Sequence, residues 1–195
     1  MTYRLEITEG HDGGACFWIY PVVVHKKYNI GSEDVEKLPE EISLDEDHFV
    51  HFLEYFFLKY FDAELPFNKW RIEYRIDGEE YAYVEGFGWY LEHNFYTYDS
   101  IGKMLDEIEK TANLLESDYD NEYLKPIVEK LVERYSINYM VEYDSEDYHV
   151  NKNDQPQAIK KNIHVVVDFY RRFVERINKM VEHNRGTNVI CIMGP

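Results

Sequence analysis

The most metal-like constellation in the chain is His48-x-x-His51-x-x-Glu54. Residues three apart on a helix project to one side, and imidazole with carboxylate is a donor set suited to zinc or iron. The order is not HExxH, which would place a general base between two ligands, and on a helical wheel Glu54 is turned well away from both histidines. A solvated or partner-facing pair of histidines is therefore expected, without a resident metal. A metal-dependent hydrolase using His48 and His51 with acids from elsewhere is the enzymatic alternative.

Other chemical signals are thinner. The carboxylate pairs Glu79/Glu80, Asp118/Asp120 and Glu146/Asp147 would support acid–base or Mg²⁺ chemistry if the fold gathered them in a cleft, but 38 acids make chance pairs inevitable. Asp118-Tyr119-Asp120-Asn121-Glu122 has the oxygen density of a cation loop and lacks the glycine and terminal glutamate of an EF-hand, so a helix stop is the simpler reading. Gly86-x-Gly88 is neither a dinucleotide fingerprint nor a phosphate loop, and no GxSxG elbow is present. No cofactor is expected. Cys16 and Cys191 sit in apolar runs without zinc-site spacing and read as reduced core thiols; a disulfide would require their strands to be neighbours.

Charge narrows the partners. The 195 residues carry 38 acids against 21 lysines and arginines, a formal net charge of -17, together with 18 tyrosines. Such a chain repels phosphate backbones and anionic membranes, which argues against nucleic acid and lipid as partners. Tyrosine offers rigid contact area with a polar tip, which suits a basic protein. Eight acids fall between Glu33 and Asp47 with Lys37 as the one cation, either as a solvated linker or as a steering surface. Arg171, Arg172, Arg176 and Lys179 make the last long helix locally basic, most simply to pair with the chain's own acids. Met1 to Ile7 lacks the basic region and continuous apolar run of a secretory signal, and no window is apolar enough to span a bilayer, so a cytoplasmic location is expected.

The positioning elements follow from periodicity. Tyr3 to Ile7 alternates and, after His11-Asp12-Gly13-Gly14, would pair with the apolar run Ala15 to Val24 as an opening hairpin. That second strand is apolar on both faces, and Pro21 within it implies an edge, a bulge or a strand end. A helix is predicted from about Asp45 to Asp62, with Phe49, Phe52, Leu53, Phe56, Phe57 and Tyr60 inward and His48, His51, Tyr55 and Lys59 outward. Trp70 to Ile76, an Asp77-Gly78 turn and the following strand read as a hairpin in which Tyr74 opposes Tyr81 and Arg75 opposes Glu80, with Trp89 to Tyr96 completing a three-stranded meander. Thr97 should cap a helix with Ile101, Met104, Leu105, Ile108, Ala112 and Leu115 inward, and a helix through Leu124 to Val132 should pack antiparallel to it. Ile137 to Tyr143 reads as a strand and Asp144 to Gln157 as a loop. One long helix is predicted from Ala158 to about His183, then a short strand at Val189 to Met193.

Strands, helix, strands, then helices make a single α+β domain over residues 1–195, an antiparallel sheet packed with about four helices. The expected function is a non-enzymatic, acidic protein-binding domain, on the analogy of an immunity or antitoxin-type inhibitor of a basic toxin. Glu36, Glu40, Glu41, Asp45 and Asp47 are the expected steering acids, and Tyr55 and Tyr119 the expected anchors. A homodimer built on the two-faced strand around Phe17 to Val24 is the further alternative.

Overall fold

A computed structural model describes residues 15–27, 30–69, 73–74, 80–81, 86–88, 93–133, 155–184 and 189–195. The fold is α+β, with a five-stranded antiparallel sheet and, among the described residues, six helices. Strand β1 (Cys16–Val24) runs through the sheet, flanked on one side by β2 (Val35–Lys37) and β3 (Ile42–Asp45), end to end, and on the other by β7 (Val189–Met193). Strand β6 (His93–Thr97) pairs with β7 at the far side. The short terminal strand predicted from the sequence thus lies inside the sheet.

Pro21 has a specific place in this order. Pairing with β3 ends at Ile19↔Ile42 and pairing with β2 begins at Val22↔Lys37, so residues 38–41 bulge opposite Tyr20 and Pro21. The Pro21 carbonyl accepts from the Leu38 amide at 3.0 Å. A strand residue's N–H and C=O point to the same side, so the N–H that proline lacks would have faced the bulge, where its loss removes no ladder bond.

The sequence between Ser32 and Asp47 is therefore no linker. It supplies the sheet edge and the start of helix α1, residues 46–60. This helix is α-helical at Glu46–His48, π-helical at Phe49–Leu53 and α-helical again at Glu54–Tyr60, with the Glu54 amide bonded to the Phe49 carbonyl. Helix α2 (Pro66–Lys69) follows. The short strands β4 (Glu73–Tyr74) and β5 (Glu80–Tyr81) pair as Tyr74↔Glu80 and Glu73↔Tyr81. That is one residue out of the expected register; the expected Asp77-Gly78 turn lies outside the described residues. The expected third strand of the meander is β6, which joins the main sheet. The expected first strand, Tyr3 to Ile7, and the strand at Ile137 to Tyr143 lie outside the described residues, as does 144–154 of the expected loop.

Helix α3 (Tyr98–Ser117) begins as predicted, with Thr97 Oγ1 accepting from the Ser100 amide at 3.1 Å. Its long neighbour is α6 (Ile163–His183) and not the helix after it, α4 (Lys125–Glu133), which instead crosses the π-helical turn of α1 and meets α5 (Gln155–Lys161). The long C-terminal helix is broken at Asn162, whose backbone leaves helical geometry and whose carbonyl accepts from Val165 in a tighter turn. The main core lies between sheet and helices, where Phe17, Ile19, Leu44, Tyr96 and Ile190 meet Phe49, Phe56, Phe57, Ile108, Phe169, Tyr170 and Phe173. On the other face Tyr20, Val22, Phe95, Val189 and Cys191 pack with Ile30, and Phe67 of α2 lies against them. The apolar residues of both faces of β1 are thus largely buried within the chain. Cys16 and Cys191 are buried thiols with no disulfide between them; Cys191 pairs with Tyr20, four residues along β1 from Cys16.

Candidate partner-binding surface

The acid-rich stretch forms the β2/β3 edge. Glu36 is exposed and lies 3.0 Å from His25 Nε2. Glu40 sits on the bulge and joins it to the end of α6: its Oε1 is 2.6 Å from His183 Nδ1, and its Oε2 accepts from Asn184 Nδ2 at 3.0 Å. Glu41 pairs with Lys37 across the same bulge. Asp45 is exposed at the end of β3, paired in register with Cys16, and the backbone places Asp47 in the first turn of α1. Four of the five expected steering acids are therefore carried by β2, β3 and the bulge between them, and Asp47 follows directly. Edge strands of this kind invite pairing with other chains, and a row of charges suppresses it.

Between the bulge and α6 runs a groove of about 710 Å³, lined by Pro39, Glu40, Glu41, Ile42, Arg176, Lys179, Met180 and His183. Its walls carry opposite charge over a buried floor of Ile42 and Met180. Three of the four basic residues of α6 pair with the chain's own acids: Arg171 with Glu116 at 2.6 Å, Arg172 with Asp168 at 2.9 Å and Lys179 with Glu175 at 2.8 Å.

The tyrosines divide into two groups. Tyr96 and Tyr170 are fully buried and donate to main-chain carbonyls of α1, those of Phe57 and Phe52, each at 2.9 Å. Tyr98 donates to the Asn184 carbonyl at 2.8 Å. Tyr55 and Tyr119, the two expected anchors, are half-buried, and their hydroxyls have no hydrogen-bond partner among the described residues. They differ in access. The Tyr119 hydroxyl is buried, with Lys160 over its ring at 5.0 Å, whereas the Tyr55 ring packs edge-on against Phe56.

Tyr55 belongs to a cluster that the sequence pattern did not disclose. Glu107 is buried on α3 and accepts from Lys59 Nζ at 2.6 Å, the Tyr60 hydroxyl at 2.5 Å and the Tyr123 hydroxyl at 2.7 Å. Burial acts to raise the Glu107 pKa, but the hydrogen bonds from Lys59, Tyr60 and Tyr123 outweigh it and hold the carboxyl below its ordinary value. Burial and the neighbouring carboxylate push Tyr60 up to about 12. Helical spacing marks Glu107 as one more acid on an amphipathic helix; only the packing of α1 and of the turn at Tyr123 against α3 identifies it as a hub.

The histidine constellation is not assembled as a metal site. Among the described residues no three His, Cys, Asp or Glu side chains gather as a metal centre would require. His51 and Glu54, expected outward and turned away, are buried, because the π turn widens the inward face and α4 covers it: Lys130 Nζ meets Glu54 Oε2 at 2.9 Å. His48 stands 6.4 Å from the ring centres of both Phe52 and Phe169. At the helix stop, Asp118 accepts from Asn121 at 2.8 Å and Asp120 pairs with Lys160 at 2.7 Å. Gly86 has a φ of 84°, open to glycine, and the Gly88 main chain is clamped by the Asn94 amide through two bonds of 2.8 Å. Among the described residues no helix is long and apolar enough to cross a membrane. Comparison with protein-family models, curated protein sequences and solved structures found no match to this chain.

Proposed function

We propose that this chain is a non-enzymatic protein-binding domain whose acidic surface engages a basic protein, in the manner of an immunity or antitoxin-type inhibitor that occupies the phosphate-binding surface of a toxin. The observation that carries this reading is the charge balance. The 38 carboxylates outnumber the 21 lysines and arginines by 17. Three of the four cations of α6, Arg171, Arg172 and Lys179, are tied to neighbouring acids. A surplus of this size repels nucleic acid and anionic lipid and accelerates encounter with a cationic protein. Glu36, Glu40, Glu41, Asp45 and Asp47 would make the β2/β3 edge the steering side, and half-buried Tyr55 would provide an anchor.

Capture from the native cell extract at low and at moderate salt, followed by reconstitution of the purified pair, tests this reading. The expected result is a basic protein bound in fixed stoichiometry at low salt and weakened at moderate salt. Recovery of the chain alone, or of an acidic partner with no salt dependence, would overturn it.

A further inference from the structure

Lys59 occupies the position that a partner's cation would take. Its Nζ lies 2.6 Å from Glu107 Oε1 and 5.8 Å from the ring centres of both Tyr55 and Tyr60. A buried carboxylate with tyrosine rings beside it is an acceptor set that recognises ammonium and guanidinium groups. The set is preorganised, because the hydroxyls of Tyr60 and Tyr123 both hold the carboxylate. Glu107 is 7% exposed and Lys59 43%, so the lysine reaches the carboxylate from solvent and covers it. The Tyr123 ring is likewise covered by a cation of the chain itself, Lys110 Nζ at 3.9 Å.

We propose that this cluster is a cation-recognition site, occupied by Lys59 in the free protein, and that an arginine of a basic partner displaces Lys59 to sit against Glu107 beside Tyr55 and Tyr60. The inference rests on the acidic-surface reading above and adds the site to it. Guanidinium bonds a carboxylate through two parallel N–H groups and stacks on aromatic faces, neither of which an ammonium does. Lys59 is tethered and therefore competes, so its removal strengthens binding.

Titration with a short oligoarginine peptide at low salt, read by calorimetry, tests this on the full chain. The variants are Lys59→Ala and Lys69→Ala, which each remove one positive charge; Lys69, at the end of α2, pairs with Glu64 outside the cluster. The expected result is that Lys59→Ala binds about tenfold more tightly than Lys69→Ala. In the Lys59→Ala background, Glu107→Gln and Tyr55→Leu each abolish that gain. Tyr55 is half-buried, so its variant keeps the test decisive should Glu107→Gln fail to fold. Equal affinity of Lys59→Ala and Lys69→Ala, with salt-sensitive binding retained, would overturn the site and leave the acidic-surface reading standing. Absence of binding by every variant would overturn both.

Discussion

Tyr96 and Tyr170 close main-chain carbonyls inside the fold, and Tyr60 and Tyr123 hold one buried carboxylate. The tyrosine content that suggests a contact surface is thus partly a hydrogen-bonding device of the core, and composition does not distinguish the two uses. Glu107 is the residue where this matters most for stability. Replacing it by alanine leaves two tyrosine hydroxyls and a lysine without their acceptor and should cost about 2 kcal/mol in urea unfolding. Its folded pKa lies below the ordinary 4.5, so its contribution is fully present above that value and is lost as pH falls through the lower folded value. Glu107→Gln should therefore show a shallower acid limb than the parent protein in a stability–pH profile below about pH 4.5.

At the scale of elements, periodicity located the helices because apolar stripes at helical spacing survive the fold. Thr97 is the sharpest instance, a cap legible from residue type and confirmed at 3.1 Å. Thr97→Ala should lower stability by about 1 kcal/mol. The π turn of α1 was not legible, since an extra residue per turn leaves no compositional mark. His51 faces inward where a regular wheel turned it out, and Glu54 is buried with it. Asn68 was equally silent. Its amide donates to the Phe95 carbonyl and accepts from the Phe95 amide, both at 2.8 Å, so a buried side chain completes the pairing of strand β6. Asn68→Ala should cost about 3 kcal/mol and speed hydrogen exchange at the Phe95 amide, whose acceptor it removes.

For the molecule as a whole, the α+β class followed from the order of elements, but strand order did not, because pairing between β1 and β7 joins residues far apart in sequence. The acidic stretch shows the same limit: its charge was plain, while its placement along the sheet edge depends on the β1 register. Edge and surplus together give the domain its electrostatic character. Self-repulsion at -17 should make the free protein more stable as moderate salt is added, seen as a rising melting temperature, whereas the same salt should weaken the proposed complex. The most direct test of the account is the association rate of the purified chain with its captured partner, measured by stopped flow across ionic strength. The account predicts a rate that falls steeply with salt and falls again, at fixed salt, when Glu36, Glu40, Glu41 and Asp45 are neutralised. A rate indifferent to both salt and these four residues would contradict it.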